Sequence, residues 1–218
     1  KDGLYNNDLY YKYDHHWTVQ SSLRATAYIT ERLNKLYKLN LDPNKKYSNY
    51  DNYNKVLYED FYKGSIGTNN VETTGYEDFY KLYPKFSTNL TINSYDITKK
   101  LVGTATGKFE DSLIDNNKII KGGPCFSSYL RGFAKQTEVV NHMADNNYKS
   151  LVVSTSIGRP FSAFLSPYFQ TTAFIDLQPG KFDRSVYTYI DELKPKVLIF
   201  LYTAHTFGKV SVWEFDRK

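Results

Sequence analysis

Leu151-Val152-Val153-Ser154-Thr155-Ser156-Ile157-Gly158 carries the pattern that decides the fold: a short apolar run, a cluster of small hydroxyl residues closing on a glycine, and then a Phe-rich segment. This reads as a buried strand, a tight turn and a helix. The same alternation continues toward the C-terminus. Thr172 to Leu177 predicts a second strand, Asp183 to Leu193 an amphipathic helix, and Lys196 to Tyr202 a third strand with a continuous apolar centre. Strands alternating with helices predict an α/β fold whose sheet is parallel and whose crossovers are right-handed.

On the N-terminal side the chain opens with a polar, Tyr-rich lead-in and reaches Tyr13-Asp14-His15-His16-Trp17-Thr18. Two of the four histidines sit here, beside a carboxylate and one of the two tryptophans. An Asp two residues before a His can turn its carboxylate onto the imidazole Nδ1, leaving Nε2 free as a base. Val19, Leu23, Ala27, Leu33 and Tyr37 then recur at helical spacing, with Ile29 and Leu36 flanking; Thr18 is a suitable N-cap, and Asn40 and Pro43 end the run. His16 is therefore expected at a helix entrance.

Between these ends the signal is weaker, and residues 42–130 are expected to be an insertion of strands and loops within a single domain spanning 1–218. Residues 42–58 read as loop with helical pieces. Tyr-Glu-Asp-Phe-Tyr-Lys occurs at 58–63 and again, eighteen residues later, at 76–81, predicting two related strand or turn segments. Gly64-Ser65-Ile66-Gly67 predicts a turn, Lys85 to Ile97 a strand or hairpin, Gly122-Gly123-Pro124 a sharp loop ahead of Cys125, and Gln136 to Met143 a short helix.

Composition restricts the function. With 218 residues, 41% hydrophobic and 23% charged, the chain can build a sizeable core without staples. The net charge of +5 comes from scattered lysines with no arginine stripe, which argues against nucleic acid. A single Cys excludes an internal disulfide framework. The 21 tyrosines fit either a biased composition or a sugar-stacking surface. No apolar run approaches the roughly 20 residues of a membrane span. The chain begins at Lys1 rather than Met, which suggests a processed or truncated chain, and any signal or anchor would lie upstream.

In an open α/β sheet, reactive groups gather beyond the carboxyl ends of strands, where Ser156 falls. As a nucleophile it would be served by His16 as base and Asp14 as orienter, with its own backbone N–H as an oxyanion donor. A Ser after a strand is also a commonplace turn or cap residue, and Ser154 stands two positions away. Gly122 and Gly123 are candidates for a second oxyanion donor; Arg159, Tyr202 and Trp17 are candidates for touching substrate. Asp14, His15 and His16, with His142 or His205, could be weighed as metal ligands, but no His-x-x-x-His or His-Glu-x-x-His spacing exists. Neither metal nor cofactor is expected, and Cys125 reads as an inert thiol.

Tyr13-Asp14-His15-His16-Trp17-Thr18 resembles the signature of the bacterial DHHW family. The likeness extends to Gly64-Ser65-Ile66-Gly67, to Pro84–Ile92, to Leu151–Phe169, to Phe174-Ile175-Asp176-Leu177 and to Val197–Tyr202. That family is similar to the alginate O-acetyltransferases of the SGNH-hydrolase superfamily. The resemblance implies a flavodoxin-like, SGNH-hydrolase-like sheet flanked by helices, with Asp14, His16 and Ser156 as catalytic triad. It further implies an esterase or acetyltransferase acting on a cell-surface or exported polysaccharide with an acetyl donor. The protein would be an extracellular monomer, with a membrane-anchored partner or anchor upstream. Two positions depart from the superfamily: Thr155 stands where an Asp usually precedes the nucleophile, and Thr203 where an oxyanion Asn tends to lie. These departures motivate the alternative, a non-catalytic carbohydrate-binding or scaffolding module on the same fold.

Overall fold

The computed structural model describes residues 9–64, 75–132, 134–176 and 186–202. Its centre is a six-stranded sheet of β3 (Leu90–Tyr95), β4 (Leu101–Gly107), β5 (Gln136–Asn141), β6 (Lys149–Ser154), β7 (Thr171–Asp176) and β8 (Val197–Leu201). The strand order is β4-β3-β5-β7-β6-β8. A further pair, β1 (Tyr53–Tyr62) and β2 (Glu77–Pro84), forms a two-stranded sheet of its own.

The expected parallel sheet holds for three strands and not for the others. β6 is parallel to both β7 and β8, whereas β5 is antiparallel to β7 and to β3, and β3 to β4. The sheet is therefore mixed. The main correction lies at Gln136–Met143, where a helix was expected and β5 is found. Its Thr137, Val139 and Val140 are β-branched, and pairing on both edges overrides the weak helical spacing. β3 and β4, out of the 42–130 segment, are strands of the main sheet, while β1 and β2 stand apart from it.

The two copies of Tyr-Glu-Asp-Phe-Tyr-Lys lie on β1 and β2 and pair with each other, Tyr58 opposite Phe79 and Tyr62 opposite Glu77. Between those pairs the register shifts at Asp60, whose φ of 47° marks a bulge. The bulge twists the end of β1 and re-aims Tyr62. Tyr62 is fully buried.

Helix α1 (Val19–Tyr37) begins where the cap predicts, the Thr18 hydroxyl accepting from the Ser21 N–H at 3.2 Å. Its buried face is rotated from the expected one: Ser22, Thr26 and Thr30 are buried beside Val19 and Leu23, whereas Leu36 and Tyr37 are exposed. The hydroxyls of Ser22, Thr26 and Thr30 donate to the carbonyls of Thr18, Ser22 and Thr26, four residues back, so small polar groups can be buried at no loss of hydrogen bonding. The resulting small-residue stripe lets a second helix come close. That neighbour, after the short α2 (Phe109–Ser112), is α3 (Gly158–Leu165), whose Phe161 carbonyl also receives the Thr26 hydroxyl.

The strand parity shows how the layers close. Val152 and Phe174 pack with Phe161 and Phe164 of α3, while Leu151, Val153, Ala173 and Ile175 pack with Val186, Tyr189 and Leu193 of α4 (Val186–Leu193). Alternate residues of a strand face opposite ways, so α3 and α4 cover opposite faces of the sheet. The chain leaves β6 toward β7 on one side and returns to β8 on the other. The strand order thus reverses at β6, and in α/β sheets ligands bind beyond the carboxyl ends of strands at such a reversal.

Gly158 allows the close approach of α3 to β6. A Cβ there would lie 2.7 Å from Ser154 Cβ and Oγ and 2.9 Å from the Phe174 ring. We expect Gly158→Ala to cost about 1–3 kcal/mol through overpacking. A fall in the urea midpoint with unchanged slope would show it; an unchanged midpoint would contradict this packing argument.

Candidate active site

Residues 9–18 form a tight closed loop, with the Thr18 N–H bonded to the Leu9 carbonyl at 3.0 Å, Tyr11 N–H to the His16 carbonyl at 3.1 Å, and Tyr10 and Trp17 in a bridge. The loop is bound to the turn carrying Ser156 by Trp17, whose indole N–H donates to the Ile157 carbonyl at 2.9 Å while its ring stacks on Phe161. Trp17 is thus the fastener between the two segments, a more specific role than a pocket wall.

This fastening brings Asp14, His16 and Ser156 into one line. His16 Nε2 lies 2.8 Å from Ser156 Oγ, and His16 Nδ1 lies 2.8 Å from Asp14 Oδ1. All three are buried, with exposures of 4%, 4% and 7% for Asp14, His16 and Ser156. Water therefore does little to screen them, and their mutual electrostatics are strong.

The Asp14 carboxylate has further donors. Oδ1 also takes the His16 backbone N–H at 3.3 Å and His15 Nδ1 at 3.1 Å, and Oδ2 accepts a short hydrogen bond from the Tyr62 hydroxyl. Burial pushes the Asp14 carboxyl up, but the hydrogen bonds from His15, His16 and Tyr62 outweigh it and hold the group well below the usual carboxylate range. Asp14 is ionised. Burial and the neighbouring carboxylate push the Tyr62 phenol far above its usual value, so it remains a donor.

For His16, burial lowers the pKa and Asp14 raises it, with the balance below the ordinary imidazole value. At neutral pH the ring is uncharged. The ionised Asp14 places the one ring proton on Nδ1, which leaves Nε2 to accept from the Ser156 hydroxyl. A second aromatic group fixes the ring plane: Phe126 stacks on His16 with centroids 3.6 Å apart.

The remaining candidates divide. The Ser156 backbone N–H has no partner among the described residues, as an oxyanion donor requires. Gly122 and Gly123 are a correction: their N–H groups donate to the Phe61 and Ile120 carbonyls, each at 2.8 Å, and are unavailable to an oxyanion. Arg159 is likewise corrected. It is fully buried, donating to Asp176 Oδ2 at 3.3 Å, to the Ala134 carbonyl at 3.1 Å and to the Gly132 carbonyl, and it stacks on Phe174. An arginine so enclosed ties the end of β7 to the Gly132 and Ala134 carbonyls and has no exposed surface to offer a ligand. Tyr202 lies half-buried at the end of β8, its phenol pushed by burial up to about 12.

Ligand-type atoms of Asp14, His15 and His16 lie within 4.8 Å of one another, but both ring nitrogens of His16 are engaged, with Asp14 and with Ser156. His142 bonds Thr91 at 2.8 Å on β3; His205 and Thr203 lie outside the described residues, as do Ser65, Ile66 and Gly67. Cys125 is buried, its thiol pushed by burial up to about 11 and donating to the Ile120 carbonyl. Such a thiol is a poor nucleophile.

Tyr62 and Phe126 were missed by the sequence reading. Tyr62 is the fifth residue of the first hexapeptide copy and bonds Asp14, whereas its counterpart Tyr80 lies on β2 opposite Leu57, so the repeat itself conceals which tyrosine matters.

No family model matches the sequence, and no curated protein matches it. Among solved structures the fold is similar to that of Bacillus cereus PatB1 with a sulfonyl adduct, at TM-score 0.71 and 17% identity over 96% of this chain and 65% of that one. A second PatB1 structure gives 0.67 and 19% over 97% and 66%. A DHHW family protein from Eubacterium siraeum gives 0.68 and 15% over 96% and 63%. The likeness is one of fold, and this chain spans about two thirds of the length of each of these structures.

Because Arg159 and Asp176 are fully buried, removing the arginine takes a charge-bearing partner from a carboxylate that water cannot reach. Arg159→Met is expected to lower stability by about 3–5 kcal/mol. Any loss of activity should follow the unfolded fraction. A large rise in KM in fully folded protein would instead restore Arg159 as a substrate contact.

Proposed function

We propose that this protein is a serine-dependent O-acetyl esterase or O-acetyltransferase acting on an exported or cell-surface polysaccharide through Asp14, His16 and Ser156. The observation that carries the reading is the buried relay from Asp14 through His16 to Ser156, with both hydrogen bonds at 2.8 Å. Its position at the reversal of strand order, with helices on both faces, supports an SGNH-hydrolase-like architecture. Transport outside the cell and the glycan substrate come from the resemblance to the DHHW and alginate O-acetyltransferase families. Among the described residues no helix is long and apolar enough to cross a membrane.

The chemistry follows from the geometry. Ser156 Oγ attacks the carbonyl carbon of an acetyl ester while His16 Nε2 takes the hydroxyl proton, and the imidazolium so formed is stabilised by Asp14. The carbonyl oxygen becomes the oxyanion, within reach of the Ser156 backbone N–H. Collapse expels the donor alkoxide, which takes the proton back from His16 and leaves acetyl-Ser156. In the second half, His16 removes a proton from water or from a sugar hydroxyl, that oxygen attacks the acetyl carbon, and Ser156 is regenerated with its proton. Neutral Thr155 in place of an acidic residue takes no part in these transfers.

The PatB1 structure carries a sulfonyl adduct, and an activated side-chain hydroxyl is the kind of group that displaces fluoride from a sulfonyl fluoride. Ser156 is expected to be sulfonylated by phenylmethylsulfonyl fluoride, with the mass increment mapped to its peptide. Ser156→Ala should abolish labelling and lower kcat on an aryl acetate or acetylated oligosaccharide by about 10⁴-fold or more. Equal turnover in the variant would sink the enzyme, and glycan binding without turnover in the wild type would favour the module.

The pH profile is a separate check. Catalysis needs His16 neutral, and its pKa is lowered by burial, so kcat/KM should be level through neutral pH and fall only as pH drops below about 6.5, with a slope of one proton. An acid limb centred above pH 7 would contradict the assignment.

A further inference from the structure

The β1–β2 pair stands outside the main sheet, yet it touches the loop carrying Asp14 at four points. Tyr62, at the end of β1, donates to Asp14 Oδ2. Gly64, two residues on, has φ +71° and sits against that loop so closely that a Cβ would lie 2.3 Å from the Tyr13 carbonyl oxygen and 2.9 Å from Asp14 Cβ. Gly75 faces the Tyr13 ring, where a Cβ would lie 3.1 Å from its hydroxyl. Glu77, first residue of β2, accepts the backbone N–H groups of Lys12 and Tyr13 at 2.9 and 3.0 Å.

We propose that this hairpin is a positioning arm for the base, Tyr62 holding the Asp14 carboxylate and Glu77 holding the backbone that carries it. The inference rests on the proposed function for its kinetic consequence, though its effect on His16 is independent of turnover. Neither residue touches the nucleophile, so both act through Asp14. The Tyr62 hydroxyl sets which carboxylate oxygen is left to His16, because Oδ2 is committed to the phenol and Oδ1 faces the imidazole. The Tyr62 ring is itself fixed by Tyr11, at 4.4 Å between centroids, and by Phe79. Among the described residues, the titratable and charged groups facing the Asp14–His16 pair or its phenol include His15, Tyr11, Tyr62, Glu77, Cys125 and Arg159. Of these, Tyr62 alone bonds the second carboxylate oxygen among the described residues.

The sign of the effect can be worked out. Without the phenol the buried carboxylate loses a donor, so an imidazolium becomes its better partner and His16 holds its proton more tightly. Tyr62→Phe should raise the His16 pKa by about half to one pH unit. It should also lower kcat roughly tenfold at pH 7 with KM unchanged, as expected of a misplaced catalytic group. Tyr80→Phe, the equivalent position in the second hexapeptide, is the control and should do neither.

The test titrates His16 by NMR on labelled imidazole in the Ser156→Ala background, where turnover has no bearing, and measures kcat, KM and the pH profile on an aryl acetate in the Ser156 protein. A raised His16 pKa with Tyr62→Phe and none with Tyr80→Phe supports the arm, whatever the enzyme reading's fate. If Ser156→Ala leaves turnover intact, the function fails and the arm is still judged by the titration. A His16 pKa in Tyr62→Phe indistinguishable from that with Tyr80→Phe overturns it. Should Tyr62→Phe fold poorly, Glu77→Ala against Glu77→Gln decides. The arm requires kcat to fall roughly tenfold in Glu77→Ala with KM unchanged, and to recover in part in Glu77→Gln, which retains one acceptor oxygen; equal rates in the two overturn it.

Discussion

A charged carboxylate in a nearly dry pocket has to be surrounded by donors, and much of this structure can be understood as the means of surrounding Asp14. The group is 4% exposed, and an ionised carboxylate without partners would be costly to bury. Its oxygens are met by two imidazoles, a backbone N–H and a phenol, drawn from its own loop and from β1. Those donors come from segments 48 residues apart, so the hairpin has to fold against the N-terminal loop before the carboxylate is satisfied. Stability and reactivity share this requirement, because the bonds that keep Asp14 ionised are those that leave Nε2 of His16 as an acceptor.

The sheet supplies the other half. Ser156 owes its position to the reversal of strand order at β6, with α3 and α4 on opposite faces, and to the contact that carries His16 across to it. That contact is the Trp17 indole on the Ile157 carbonyl, one residue past Ser156. Trp17 and His16 are adjacent in sequence, as are Ile157 and Ser156, so one hydrogen bond sets the register between His16 and Ser156. The buried Arg159 and Asp176 do similar work one turn further on, linking the start of α3 to the end of β7.

What was legible in the sequence follows the range of the interactions. The strand-turn-helix at 151–165, the cap at Thr18, and the strand, helix and strand expected at Thr172–Leu177, Asp183–Leu193 and Lys196–Tyr202 are local patterns, and among the described residues they are found at Thr171–Asp176, Val186–Leu193 and Val197–Leu201. A two-residue spacing and a strand end singled out Asp14, His16 and Ser156 as candidates, but spacing alone left Ser156 equally readable as a turn or cap residue, and it was the resemblance to the DHHW family that weighted the choice; their meeting in space is tertiary. Gln136–Asn141 was misread because its strand character comes from partners on both edges. Arg159 was misread as a candidate substrate contact because nothing local shows that Asp176, seventeen residues on, is brought beside it. Gly122 and Gly123 offered permissive backbones, but the direction of an N–H depends on the tertiary fold. Tyr62 was hidden by repetition, since two identical hexapeptides give no sign that only one faces a carboxylate.

The hydroxyl cluster at the end of β6 shows how three similar side chains come to differ. From sequence, Ser154 and Ser156 were rivals for the same role. Ser154 ends the strand; its hydroxyl donates to the Leu201 carbonyl, joining the ends of β6 and β8, and its Cβ and Oγ lie beneath Gly158. That hydroxyl is committed, and no imidazole can approach it past the helix. Thr155 makes the turn, its carbonyl accepting the Gly158 N–H at 3.0 Å. Only at Ser156 has the chain left the sheet without having closed the first helical turn, so its hydroxyl meets Nε2 of His16 while its own N–H stays unbonded among the described residues. The strand end, the turn and the hydroxyl that meets His16 thus fall on three successive residues: a hydroxyl two positions back lies under the helix, and the next position, Ile157, is already the helix N-cap.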